Sequence, residues 1–110
     1  MAEQASETPV LDLLASMTAD SIEASDLDER ALMLVRIAAL VAVDAPPISY
    51  SLNIGAAAEA GVDADDVRGV LTAVAPIVGT ARIASATSKI VQALAIELEL
   101  AELEAEAAES

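Results

Sequence analysis

The chain is 110 residues long, which bounds it to one domain, and 55% of its residues are hydrophobic although Tyr50 is the one aromatic residue. Its 19 acidic and 5 basic residues give a net charge of −14, which argues against nucleic acid or an anionic membrane as a partner. Without cysteine or histidine, the chain lacks the groups for thiol redox chemistry, imidazole acid–base catalysis and the usual zinc sites, so no metal or cofactor is predicted.

The first predicted helix begins at Thr8-Pro9, with threonine as the N-cap and proline at the first helical position. One apolar face follows at helical spacing: Val10, Leu13, Leu14 and Met17. We expect this helix to be short, because residues 18–25 are polar and are interpreted as a connection. Asp26, three residues before Glu29, has the capping-box spacing that predicts the start of a second helix.

The second helix, predicted over residues 31–43, is expected to be the central and most buried one. Twelve of its thirteen residues are apolar, and the exception is Arg36. Arg36 is interpreted either as a snorkelling or salt-bridged core arginine or as an anion-binding group in a cavity. The helix is ended by Asp44, Ala45, Pro46 and Pro47, because a proline disfavours the helical conformation of its predecessor.

Three further helices are predicted, which makes the chain all-α with about five helices. The third covers residues 48–60 and is closed by Gly61, and the fourth is capped by Asp63 and stopped by Gly79. The inward face of the fourth is predicted to consist of Val67, Val70, Leu71, Val74 and Val78. A fifth helix starts near Ala81 and continues past Leu98.

The acidic residues lie mainly at the two ends of the chain. Residues 1–29 carry a net charge of −8, residues 30–96 carry 0, and residues 97–110 carry −6. We therefore divide the chain into an acidic N-terminal segment with a short helix (1–26), a helical domain (27–96) and an acidic helical C-terminal extension (97–110), for which a docking tail is the alternative interpretation. Because the apolar body has no net charge, we expect a homo-oligomer.

No targeting or membrane-spanning segment is predicted. The N-terminus lacks the basic start and apolar run of a secretory signal. The longest uncharged stretches, residues 45–58 and 69–81, are shorter than the roughly 18 apolar residues of a membrane helix. We expect a cytoplasmic protein with no membrane partner.

The order of several segments is typical of a known family. An apolar helix at residues 31–43 is followed by Ala-Ala-Ala-Glu-Ala-Gly at 56–61, an acidic cap at 63–67 and Val-Gly-Thr-Ala-Arg at 78–82. With this layout, residues 27–95 resemble the carboxymuconolactone decarboxylase family, which includes the alkylhydroperoxidase D-like proteins. The resemblance implies an alkylhydroperoxidase D-like helical fold and assembly as a trimer or as a hexamer built from dimers.

The resemblance also implies that the family's chemistry is missing. The redox branch has a CxxC motif before a histidine that lies eight residues upstream of the first glycine. Counted from Gly61, the cysteine positions hold Pro46 and Ser49, the histidine position holds Asn53, and a relay glutamate position holds Leu34. The decarboxylase branch also relies on a histidine on this helix. We therefore predict no catalytic residue and lean against an enzyme.

Three functions remain open. The first is a non-catalytic oligomer with a structural or protein-interaction role. The second is a small-molecule binding protein with a polar pocket at residues 49–53, where Ser49, Tyr50 and Asn53, with Arg36, are candidates to bind a small neutral ligand. The third is a divergent enzyme of the family without thiol peroxidase chemistry. In the alternative interpretation, the polar side chains of 49–53 cap the helix or satisfy one another.

Overall fold

The chain forms five helices over residues 7–109, which the computed structural model describes apart from the side chains of residues 96–101, 104, 108 and 109. The helices are α1 (Pro9–Ala24), α2 (Glu29–Ala42), α3 (Pro47–Glu59), α4 (Ala64–Val78) and α5 (Thr80–Glu109). No strand occurs in this part of the chain, so the all-α prediction is confirmed. α5 continues past Leu98 as expected, whereas the predictions for residues 1–6 and Ser110 lie outside the described residues.

α1 begins where the sequence predicts but is 16 residues long, so the prediction of a short helix followed by a connection at residues 18–25 is wrong. The polar residues fit an exposed helix because the Ser21 hydroxyl donates to the Thr18 carbonyl oxygen at 2.9 Å. Thr8 occupies the N-cap position, but its side chain makes no capping hydrogen bond. Its hydroxyl instead donates to the Asp12 carboxylate at 3.3 Å.

α2 starts later than the predicted capping box. Its N-cap is Asp28, whose carboxylate accepts a hydrogen bond from the Ala31 N–H at 2.8 Å, so the prediction of Asp26 as the cap is wrong. The Ser25 hydroxyl accepts from the Leu27 N–H at 3.2 Å, which keeps residues 25–27 in a local turn ahead of the helix.

α2 is the central helix, as predicted. It packs against α3, α4 and α5, and it buries Met33, Ile37 and Val41. Its opposite side is apolar yet exposed at Val35, Ala39 and Ala42, with Val35 at 55% exposure. α2 therefore has one side in the core and one apolar side that the single chain leaves in contact with water.

The predicted glycine stops after α3 and after α4 are confirmed. Gly61 and Gly79 have φ values of 87° and 89°, which a residue with a Cβ rarely adopts, and they lie after α3 and after α4. Asp63 and Asp66 form a reciprocal capping box at the start of α4, with N–H to carboxylate distances of 2.9 and 3.0 Å. The acidic residues at 63–66 are therefore a helix cap, as the sequence predicts.

The core consists of two small clusters. One contains Val41, Ala45, Tyr50, Ala86 and Ala93, and the other contains Met33, Ile37, Ala57 and Val62. The predicted inward residues of α4 pack against these clusters, although none of them is fully buried. Several core positions are alanines, which let the helices approach closely. As a result, fifteen large hydrophobic side chains of the described residues stay exposed.

Candidate functional site

The first two turns of α3 contain three of the predicted site residues. Pro46 and Pro47 occupy the N-cap and first helical positions, where their fixed φ suits a helix start. The N-cap residue Pro46 makes no side-chain capping hydrogen bond. Asn53 donates from Nδ2 to the carbonyl oxygen of Ser49 at 2.8 Å, one turn back along the same helix.

A cavity of about 30 Å³ lies beside these turns. It is lined by Ile37, Leu40, Tyr50, Asn53, Ile54, Val67 and Ile90. Tyr50 is 3% exposed, and its buried hydroxyl has no hydrogen-bond partner among the described residues. The cavity is large enough to hold a water molecule. Tyr50 and Asn53 belong to the lining, but the surface that they present to the cavity is apolar, since the Tyr50 hydroxyl is fully buried and the Asn53 amide donates to Ser49.

Tyr50 stays protonated at neutral pH. Burial raises the pKa of its hydroxyl above the ordinary 10.0, and the negative charge of Asp44 raises it further. Asn53 does not titrate. The polar groups of this cavity can therefore donate and accept hydrogen bonds but cannot exchange protons near neutral pH.

Arg36 lies away from the cavity. Its Nη2 atom donates to the Ser21 hydroxyl of α1 at 2.6 Å, so this arginine connects α2 to α1. The structure thus brings Tyr50 and Asn53 together, with the Ser49 backbone beside them, and it does not add Arg36 to the group. Arg36 is half-buried, and its guanidinium reaches the hydroxyl of an exposed residue, as a snorkelling arginine does.

A polar cluster close to Tyr50 connects the C-terminal end of α2 to α5. Asp44 follows α2 with φ 55°, and its carboxylate accepts hydrogen bonds from Ser85 Oγ at 2.7 Å and Lys89 Nζ at 2.9 Å. Arg82 Nη1 donates to the Ala42 carbonyl oxygen at 2.6 Å. The hydrogen bond from Lys89, followed by that from Ser85, holds the pKa of Asp44 below its ordinary 3.8.

We expect Asp44→Asn to remove a pH-dependent part of the stability. Because the pKa of Asp44 is lower in the folded chain than in the unfolded one, its contribution is complete well above pH 3.8 and is lost as the pH falls through the folded value. Asparagine tolerates the positive φ, so the backbone is unchanged.

Urea denaturation of both proteins across acid pH measures this effect. The difference in unfolding free energy should be constant at neutral pH and should shrink below pH 3.8. Asp20→Asn, which removes an exposed carboxylate of α1, is the control. A difference for Asp44→Asn that is the same at every pH would contradict the role of this ion pair.

A larger apolar groove, which the sequence analysis missed, runs beside the cavity. Its volume is about 420 Å³, and it lies between α3, α4 and α5. Ile37, Ile54, Val67 and Ile90 line both spaces. On α4 and α5 the groove residues recur at i, i+3, i+4 and i+7: Ala64, Val67, Arg68 and Leu71, and Thr87, Ile90, Val91 and Leu94. That spacing is the sequence signal, but only the tertiary arrangement shows that the two stripes face one groove.

These features define an all-α protein with a central apolar helix, a polar site at the start of the next helix and a glycine turn before the last, long helix. The chain belongs to the carboxymuconolactone decarboxylase family, whose family model matches residues 8–93. The match begins at the N-cap of α1, so it includes α1 as well as the segments that carry the sequence resemblance. Comparisons with curated proteins and with solved structures give no match.

Two structural observations bear on membranes and metals. None of the helices, as far as residues 7–109 are described, is long and apolar enough to cross a membrane. In the same part of the chain, no three acidic side chains are grouped so that they could hold a metal ion.

Proposed function

We propose that this chain is a non-catalytic homo-oligomer of the carboxymuconolactone decarboxylase family with a structural or protein-interaction role. The observation that carries the proposal is the extent of exposed apolar surface on a body without net charge. Apolar side chains of this body that are more than half exposed include Val35, Leu52, Ile77 and Val91. Soluble monomers rarely expose contiguous apolar surfaces of this kind, which mark interaction sites.

The charges of the body do not oppose association. Arg30 pairs with Asp66, Arg68 with Asp65 and Lys89 with Asp44, so three of the five bases are neutralised by carboxylates of the body itself. The acidic ends remain available to keep the assembly soluble. A trimer or a hexamer is the size that the family resemblance implies, and a cytoplasmic location is part of the proposal because the cysteine-free chain suits a reducing compartment.

The non-catalytic part of the proposal is supported by what lines the cavity. Tyr50 and Asn53 supply its polar side chains, and neither exchanges protons near neutral pH. The position of the family's relay glutamate holds Leu34, which packs against the second core cluster. Hydrolytic, decarboxylase or peroxidase chemistry would require a nucleophile or a proton carrier at this place.

Analytical ultracentrifugation of the full chain at micromolar concentration and near-physiological salt tests the assembly, and we expect the mass of a trimer or hexamer. Added salt should strengthen it by screening the clustered acids at the two ends. A thiol-dependent peroxidase assay should give no turnover above the uncatalysed rate. A folded monomer would contradict the oligomer, and enzyme-dependent turnover would contradict the non-catalytic role.

A second candidate function is the binding of a small neutral molecule, and the unpaired hydroxyl of Tyr50 favours it. This hydroxyl lies behind the apolar lining of the cavity, so a neutral acceptor would form a hydrogen bond with it only after the lining side chains move. Because the cavity is small, only a small head group fits there, and the rest of a ligand would extend into the groove that shares its lining.

Tyr50→Phe tests this second candidate. Without ligand, the unfolding free energy of the variant should be about 1 kcal/mol higher than that of the wild type, because the substitution removes a buried hydroxyl that lacks a protein partner. Added acetone or γ-butyrolactone should raise the melting temperature of the wild type more than that of Tyr50→Phe. Equal shifts in both proteins would remove Tyr50 from ligand binding. The conservative Ser49→Ala variant, which leaves the cavity lining intact, is the control.

A further inference from the structure

We propose that α1 of one copy of this chain lies in the apolar groove between α4 and α5 of a second copy. The inference rests on the proposed homo-oligomer, and it specifies which two surfaces meet there. It joins two apolar features that the core leaves unfilled: a helix without a packing partner in its own chain and a groove without an occupant from its own chain.

α1 stands apart from the helical body. All of its residues are exposed. In contrast, α2, α3, α4 and α5 pack extensively against one another. Its described side-chain link to the body is the hydrogen bond from Arg36 to Ser21, near its C-terminal end. A helix of 16 residues is marginal in water on its own, because most helical stability comes from packing of an apolar face. The helix therefore requires a surface to cover that face.

The groove matches the apolar face of α1 in shape. Its two walls are four-residue stripes on α4 and α5 at the spacing i, i+3, i+4 and i+7, and each stripe is about 10 Å long. The apolar stripe of α1, from Val10 to Met17, has the same spacing and the same length. Ile54, Ala57 and Ala58 of α3 form the floor, where two small residues leave room for larger side chains. A third helix therefore fits between the two walls with its stripe inward.

The charges of the two surfaces also agree. α1 carries Asp12, Asp20 and Glu23 and no basic residue, so its polar side is purely acidic. Arg68 lies at the groove with 70% of its side chain exposed, and it can pair with an acidic residue of an incoming helix. Asp63, the acidic residue of the groove, is already engaged as the cap of α4. Arg68 is already paired with the exposed Asp65 of its own helix, so the rim offers a shared cation and not a free one to an acidic helix.

A second copy is the occupant because α1 lies outside the groove of its own chain. The turn at residues 25–27 and the contact between Arg36 and Ser21 hold it in that position. When two copies exchange their α1 helices, the groove of each copy receives the helix of the other, and the assembly is a closed dimer. When the exchange runs head to tail, it closes as a ring. Either arrangement buries the apolar stripe in every copy.

The absence of native cysteine allows a direct test by disulfide cross-linking. Leu14→Cys, within the stripe, is mixed with isotopically labelled Val91→Cys, within the groove, and the mixture is oxidised. Both native side chains are exposed in the single chain, at 51% and 61%, so neither variant disturbs its core. Because a disulfide needs its two Cβ atoms within about 4.5 Å, a mixed covalent dimer should form. The control is Ala19→Cys, on the opposite face of α1, which should form little mixed dimer with Val91→Cys.

A charge substitution supplies the second readout. Leu14→Glu should weaken assembly by at least about tenfold, since it places a carboxylate in the apolar groove, whereas Ala19→Glu adds the same charge on the opposite face and should leave assembly unchanged. Cross-linking of Leu14→Cys to Val35→Cys instead of Val91→Cys would move the contact to the outer side of α2 and overturn the proposal. An intrachain disulfide in the double variant Leu14→Cys/Val91→Cys would overturn it as well. In both cases a wild-type oligomer would leave the proposed function standing, whereas a wild-type monomer would refute both.

Discussion

Ala93→Leu is expected to lower the unfolding free energy by about 3 kcal/mol, at the upper end of the usual cost of overpacking a core. Ala93 is 0% exposed and belongs to the core cluster that contains Val41, Ala45, Tyr50 and Ala86. α5 packs more extensively against α3 than against any other described helix. Three added carbon atoms at this position would separate these helices or force strained rotamers, because core packing leaves little free volume.

Ala95→Leu is the matched control for this prediction. It makes the same substitution two residues further along α5 at an exposed position, so it should change the unfolding free energy by no more than about 0.5 kcal/mol. Urea denaturation at one fixed protein concentration measures both variants, since an oligomer's apparent stability depends on concentration. Equal effects at the two positions would show that the alanines of α5 do not set the distance between the helices.

The sequence predicted the helices well because local chemistry determines where each begins and stops. The glycines at 61 and 79 and the reciprocal cap at Asp63 act within a few residues, so their patterns are visible without a fold. The errors fall at the ends of α1 and α2, where several polar residues compete as caps. Asp28 rather than Asp26 caps α2, because a hydrogen bond from the Leu27 N–H to the Ser25 hydroxyl holds Asp26 in a turn ahead of the helix. Sequence spacing alone does not show this contact.

The candidate site was only partly visible in the sequence. Tyr50 and Asn53 lie on one side of one helix, and their spacing alone predicts that they meet. Arg36 and the groove depend on how separate helices pack. Arg36 extends toward α1, and the groove exists only because α4 and α5 present matching stripes across a gap. An alanine-rich core of this kind gives weak clues to its packing, since alanine is common both in cores and on the exposed sides of helices.

Met33→Ala is expected to lower the unfolding free energy by about 3 kcal/mol, within the range of about 2 to 5 kcal/mol for removing a buried methionine side chain. Met33 is 4% exposed and packs in the second cluster with Ile37, Ala57 and Val62. The cluster is small, so few neighbours can move to fill the space that the side chain leaves. Urea denaturation at a fixed protein concentration again measures the loss.

Val35→Ala is the matched control because Val35 lies on the opposite side of α2 and is 55% exposed. If the outer side of α2 faces water in the assembly, the variant should change the unfolding free energy by no more than about 0.5 kcal/mol at every protein concentration. If another subunit covers that side, the effect of Val35→Ala on the unfolding free energy should depend on protein concentration. The part of the Met33→Ala loss that arises within one chain should not depend on it. The pair therefore separates the contribution of the core from that of the assembly within a single helix. A small effect of Met33→Ala at every concentration would contradict the packing of the second cluster.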